Sequence, residues 1–212
     1  MTARPVTGPI PTSGIAPLAD HEEAMDVRVT PRRGGAEALL WLVSPHGGAG
    51  VSTLARMLPF AGDGGRKWPG VPGQHESPLC ALVVRDSMDG LDAAHVALRQ
   101  YYTEQIPSAL IALIVVAANR GERSPQVRRK RDLVFSLADR AAFGEPLRIF
   151  SVPWLEQFVE IPRSDLPVVP DRYVAPRRAP KDLRQGVHPA IGELAMALHQ
   201  HAVDELPHVL PS

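Results

Sequence analysis

The stretch from Leu39 to Leu58, LLWLVSPHGGAGVSTLARML, restricts the fold more than any other part of the chain. Leu39-Leu40-Trp41-Leu42-Val43 is an unbroken apolar run bounded by Gly34-Gly35 and Pro45. Such a run suits a strand buried on both faces, as in a parallel sheet. It passes directly into His46-Gly47-Gly48-Ala49-Gly50-Val51-Ser52-Thr53 and then into a helical start. Glycines at this bend let successive N–H groups turn toward one point and admit a bulky anion without Cβ clashes. A helix beginning near Ser52 adds its unpaired N–H groups and the positive end of its dipole. The Ser52 hydroxyl, just after Gly50-Val51, stands where a phosphate loop offers a ligand to Mg²⁺. The expectation is a strand, an anion cradle and a helix, in that order. A plain tight turn between strand and helix satisfies the same glycines, and both readings stay open.

Three more apolar runs, Leu79–Val84, Leu110–Ala117 and Leu147–Val152, repeat the buried-strand pattern. Helical patterns separate the later ones, which favours βαβ units over a sandwich. Ser87 caps a helix with Leu91, Ala94, Leu98 and Tyr101 at helical spacing. Ser124-Pro125 opens another, with Val127, Val134, Leu137, Ala138 and Ala141 as its buried stripe and Gly144 closing it. Pro189 opens a last helix with Ile191, Leu194, Ala195, Leu198 and Ala202 on one face. The expected fold is α/β, a mostly parallel sheet of four to five strands flanked by helices.

Proline is where the composition departs from the ordinary: 22 residues, about a tenth of the chain, against a usual share of about 5%. Residues 1–36 hold Pro5, Pro9, Pro11, Pro17 and Pro31 and no apolar periodicity. They are expected to form a disordered leader, because they bury too little surface to offset ordering entropy. Pro59–Pro78 carries nine Gly or Pro in twenty residues, too many for regular structure. Residues 163–187 read as a Pro-rich basic linker, and 188–206 as a C-terminal helix packing on the core.

Charge excludes several functions. Lys plus Arg and Asp plus Glu are 23 each, so the chain is neither a polycation made to coat nucleic acid nor an acidic solvating protein. Ala109–Ala118, ten residues, is the longest apolar stretch and is half of the roughly 20 needed to span a membrane. The N-terminus lacks a signal-peptide apolar region before Asp20. The expected location is cytoplasmic. The single Cys80 forms no intrachain disulfide and no thiolate zinc site, and reads as a buried structural thiol.

The glycine segment resembles the deviant Walker A motif of ParA/MinD-type P-loop ATPases, K-G-G-x-G-K-[ST] after the first strand. The signature lysine falls on His46 and the phosphate-contacting lysine on Val51, so both lysines are lost while the glycines and the hydroxyl remain. Two later places fit the same family. Asn119-Arg120 follows the third apolar run, where the family has an Asn touching adenine. The last run ends in Ile149-Phe150-Ser151-Val152-Pro153-Trp154, where the family has a proline-containing loop near the base. The resemblance spans roughly Leu39–Pro162 and implies a P-loop-like α/β domain over 37–162 binding ATP or ADP with Mg. Its middle is poorly matched, so a shortened version is expected, with Pro59–Pro78 replacing a missing unit. A charged hydrogen bond is worth roughly 1.5–3 kcal/mol, so losing one lysine weakens triphosphate binding about ten- to a hundredfold. Losing a cation that balances transition-state charge costs about 10³–10⁵ in rate. Binding survives such a loss more easily than hydrolysis does.

Other clusters add candidates. Arg66 or Lys67, in the glycine-rich loop, is a substitute cation, or else a solvated loop residue. Asp86 and Asp89 follow a strand's carboxyl end, where they position magnesium or water, or serve as ordinary first-turn acids. Arg128, Arg129, Lys130 and Arg131 form a basic ridge, either a solvated face or a non-specific DNA contact. Arg172, Arg177, Arg178, Lys181 and Arg184 make a looser second cluster. His199, His201 and His208 lack metal-site spacing, and no Gly-x-Ser-x-Gly elbow is present.

The functional expectation is a degenerate ParA/MinD-like protein with weak or vestigial nucleotide binding and little or no hydrolysis. By analogy it is an accessory in DNA or plasmid partition, transfer or positioning, on a mobile element. An unknown protein partner is expected, with non-specific DNA and a homodimer as further possibilities. The alternatives are a slow Mg-dependent ATPase using Lys67 or Arg66, and a protein-interaction module that binds no nucleotide.

Overall fold

In a computed structural model, residues 15–28, 38–70, 76–104, 106–140 and 146–209 are described. The apolar runs become strands as expected. In chain order the main elements are β1 (Leu40–Val43), α1 (Val51–Met57), β2 (Ala61–Gly65), β3 (Leu79–Asp86), α2 (Met88–Thr103), β4 (Ala109–Ala117), α3 (Pro125–Ala138), β5 (Arg148–Val152), the single turn α4 (Gln157–Glu160) and α5 (Pro189–Val209). All strand pairs are parallel and the sheet order is β2-β1-β3-β4-β5. The fold is therefore α/β, with five strands. From β1 the chain moves to one side of the sheet and from β3 to the other, so the order reverses between β1 and β3. Open α/β sheets leave a crevice beyond the strand ends at such a point.

Alternation along the strands divides the core. Leu40, Leu42, Leu79, Ala81 and Val83 pack with α1 and α5, while Trp41, Val43, Cys80, Leu82 and Val84 pack with α2 and α3. The β3–β4 register slips after Cys80, which pairs with Leu110 while Ala81 pairs with Ala112. Ile111 and Ala112 consequently both join the α1/α5 layer. The Ile111 carbonyl accepts a 3.0 Å hydrogen bond from Nε2 of His201 on α5. A bulge carbonyl left free of the ladder has thus found a partner in the covering helix.

The caps form where the sequence places them. Ser87 accepts from Gly90 N at the start of α2, and Ser124 accepts from Val127 N ahead of Pro125. Leu91, Ala94, Leu98 and Tyr101 are buried, as are Val134, Leu137 and Ala138. Ala141 and Gly144, expected to end α3, lie outside the described residues. Helix α5 runs to Val209 and includes Pro207.

Three segments depart from expectation. First, the Gly/Pro-rich stretch after Pro59 contains β2, at the sheet edge beside β1. A Cβ on Gly62 would lie 2.4 Å from Cζ3 of Trp41, and one on Gly64 2.6 Å from Cγ1 of Val43. The glycines make room for β1 side chains, and main-chain pairing holds a strand whose own apolar contribution is Ala61. Second, residues 15–28 of the expected leader are laid along α2. Gln100 receives Met25 N and Trp68 Nε1 on its Oε1 and donates to Met25 O, each at 2.9 Å. Arg99 pairs with Glu22 at 2.6 Å and donates to Ala16 O at 3.1 Å. Residues 1–14 and 29–36 of that leader are outside the described residues. Third, the expected linker is a strap on the core. Leu166, Val169, Leu183 and Val187 are buried, and Val169 N donates to Met57 O at 2.8 Å. Few apolar residues suffice in both segments, because each borrows a core already built by the sheet and helices.

Candidate functional site

The loop after β1 is built from its main chain outward. Ser44 is buried, its hydroxyl donating to His46 O at 2.9 Å while its N–H donates to Gly65 O at 2.9 Å. Gly48 and Gly50 have φ of 75° and 98°, a region that side chains other than glycine enter only at a cost. A Cβ at either would meet nothing within 4 Å. These glycines therefore serve backbone shape, and the space beside them is open. Gly50 precedes α1, and no side chain caps that end.

The space is a cleft of about 450 Å³ beyond the carboxyl ends of β1, β3, β4 and β5, within the usual range for small-molecule sites. The whole run from His46 to Thr53 lines it, together with Pro153. Trp154, Leu155 and Phe158 form an apolar wall. Asn119 is not part of this cleft. It lines a neighbouring hollow with Asp86, Ser87 and Ser124, on the α2–α3 side. Val51 turns its side chain into the core and is 8% exposed.

His46 acts as a bridge. Its Nε2 accepts from the main-chain N–H of Arg85 at 3.2 Å, and its Nδ1 lies 2.9 Å from Gly47 O. A carbonyl only accepts, so these partners place the ring hydrogen on Nδ1.

The cations of the cleft are arginines. Arg85, next to last in β3, donates from Nη1 to Gly48 O at 3.0 Å and from Nη2 to Ala118 O at 3.4 Å, and sits 5.8 Å from the Trp154 ring centroid. Arg66 reaches Pro45 O at 3.5 Å. Arg163, from the strap, also lines the cleft. Sequence reasoning missed Arg85 and Arg163. The rule that sites gather at strand carboxyl ends points to Arg85, because it adjoins Asp86. Nothing in the linear pattern points to Arg163. Of the two substitute cations expected, Arg66 is in the cleft. Lys67 is not, and pairs with Asp26 at 3.1 Å.

The fit of a magnesium ion follows from this donor set. Ser52 supplies a hydroxyl, but among the described residues Asp63 is the only carboxylate lining the cleft, against three guanidinium groups. Asp63 Oδ1 already accepts from Gly65 N at 3.0 Å. Asp86 is buried in the other direction, its Oδ2 bound by Arg123 Nε and 3.7 Å from Arg131 Nε. Asp89 is exposed in the first turn of α2. A divalent cation surrounded by guanidinium groups with one engaged carboxylate is electrostatically disfavoured. The residues do not fit magnesium. Among the described residues there is also no cluster of three His, Cys, Asp or Glu.

The basic ridge on α3 is half committed within the fold. Lys130 pairs with Asp92 at 2.5 Å, and Arg131 lies 4.5 Å over the Phe135 ring and 3.4 Å from Ser151 Oγ. Arg128 and Arg129 are exposed. Cys80 is fully buried against Ser108, and burial pushes its thiol up to about 12. Among the described residues no helix is long and apolar enough to cross a membrane.

Comparison with protein-family models, with curated proteins and with solved structures finds no match for this chain.

Proposed function

We propose that this chain binds a nucleotide weakly through its phosphates in the cleft beside Gly48 and Gly50, with little or no hydrolysis. The observation that carries the reading is the coincidence of three things at one place. A bend held open by two left-handed glycines faces a cleft at the point where the strand order reverses, and three arginines against one carboxylate line that cleft among the described residues. Polar donors of this kind favour an anion over a neutral ligand, and the Trp154–Phe158 wall gives a base an apolar surface. The resemblance to ParA/MinD-type ATPases makes ATP or ADP the candidate, and partition, transfer or positioning of DNA the accessory role.

Weak turnover has its own support. The two positions where the family keeps lysine hold a bridging His46 and a core-facing Val51. Asp63, the one carboxylate lining the cleft among the described residues, is tied to the β2 main chain. Among the described residues lining it, no carboxylate is without a main-chain hydrogen bond, so none is left simply to orient a water as a general base would.

Calorimetry with ATP and ADP, alongside Gly50→Asp, tests the reading. Expected are heats of binding that vanish in the variant while circular dichroism stays native, with phosphate release no faster than in buffer. Absence of heat in the folded native chain would leave a protein-interaction module, and turnover would leave a slow ATPase in which Arg66 replaces the lysine.

A further inference from the structure

We infer that the cleft takes polyphosphate free of magnesium, with Arg66, Arg85 and Arg163 balancing the charge that a metal ion otherwise neutralises. The inference rests on the nucleotide reading above and says how that site works. It starts from the charge that the described residues place around one cavity: three guanidinium groups, one just after β2, one near the end of β3 and one on the strap, against the carboxylate of Asp63. An open cavity of this size with that imbalance attracts anions before any contact forms.

The three arginines are differently prepared. Arg85 is half-buried and held by Gly48 O and Ala118 O, so two of its five N–H groups are committed and its plane is fixed beside Trp154. A donor already oriented loses little freedom when a phosphate oxygen arrives. Arg66 and Arg163 are exposed and also line the cleft, and Arg66 makes a long contact to Pro45 O. A planar fork engages two phosphate oxygens at once, which a lysine does not. A nucleoside diphosphate or triphosphate, or pyrophosphate itself, offers enough oxygens for all three. A chelated magnesium brings two positive charges into the same space and occupies the oxygens the arginines use.

Titration calorimetry on the full chain separates the possibilities, using ADP, ATP and inorganic pyrophosphate, each with EDTA and with excess magnesium. The expected result is binding in EDTA as tight as with magnesium or tighter. Arg85→Gln should weaken it about tenfold, as loss of a charged hydrogen bond does, and Arg163→Gln should weaken it less. Thermal melting in EDTA checks that each variant is folded. Binding that needs magnesium overturns this inference and leaves the nucleotide reading intact. Failure of all three ligands under both conditions overturns both. Binding in EDTA that neither arginine variant weakens overturns the assignment of charge to these side chains.

Discussion

The imidazole of His46 accepts a hydrogen bond from the main-chain N–H of Arg85, and the Arg85 side chain donates to the carbonyl of Gly48. The two residues fasten the glycine loop to the end of β3 in both directions, across the gap where the sheet order reverses. A loop with two left-handed glycines loses much backbone entropy on folding, and the fastening holds its shape before any ligand arrives.

His46→Leu removes the acceptor at nearly constant volume and leaves the Arg85 amide unpartnered. The expected loss is about 0.5–1.5 kcal/mol in urea unfolding, with faster hydrogen exchange at the Arg85 amide. His46→Gln, whose side-chain carbonyl can also accept, should recover part of it. Unchanged exchange at Arg85 in the leucine variant would show that the bridge does not hold the loop.

Tyr173 and Gly192 form a second close pair, between strap and helix. A Cβ on Gly192 would lie 2.1 Å from Cζ of Tyr173, so Gly192→Ala forces the ring off α5. Overpacking of this kind costs about 1–3 kcal/mol. Alanine is otherwise the better helix former by up to about 1 kcal/mol. The sign should therefore reverse with context: Gly192→Ala destabilises the native chain and stabilises Tyr173→Ala. A double-mutant cycle by chemical denaturation reads this directly. Additive effects would mean that the ring is not seated on the glycine.

These relationships differ in how far the sequence reveals them. Strands β1, β3 and β4 are legible because helices cover both faces of the sheet there, which leaves continuous apolar runs, while β5 at the edge shows through Ile149, Phe150 and Val152 alone. Ser87 and Ser124 are legible because a cap needs only one local hydrogen bond. Strand β2 is not, since Gly62 and Gly64 are selected by the bulk of Trp41 and Val43 on another strand. The clamp of Gln100 on Met25, 75 positions away, leaves no local trace. In the cleft, the glycines announce themselves by type. Arg85 does not, because its meaning depends on where β3 ends relative to β1. Asn119 follows β4 as expected, yet the β4–α3 connection carries it to the adjoining hollow.

Stability should fall on the alkaline side. Burial raises the Cys80 thiol to about 12 and pushes the hydroxyls of Tyr101 and Tyr102 well above the ordinary tyrosine value. In each case the folded chain holds its proton more tightly than the unfolded chain. The contribution is complete below the unfolded values, roughly pH 8.5 for cysteine and 10 for tyrosine. It is lost as pH climbs toward the folded ones, because the unfolded state ionises first. Circular dichroism and tyrosinate absorbance followed from about pH 8 upward should change together, with Cys80 inert to thiol reagents until that transition. Tyr101 and Tyr102 ionising in a chain that keeps its native dichroism would contradict the burial.

The ridge on α3 tests how much of a basic run is available to a polyanion. Four consecutive cations, Arg128 to Arg131, suggest four phosphate contacts, and each contributes about 0.9 to the slope of log affinity against log salt. Lys130 is held by Asp92, and Arg131 by Asp86, Ser151 and the Phe135 ring. Releasing either breaks an interaction of the fold, so only Arg128 and Arg129 reach outward without that cost. Binding of duplex DNA through this face should therefore be weak, with a slope of about −2 instead of about −4. Arg128→Ala with Arg129→Ala should flatten it, while Lys130→Ala should leave it unchanged. A slope near −4 that drops by one on Lys130→Ala would mean that DNA displaces Asp92, and that these internal ion pairs are weaker competitors than a phosphate.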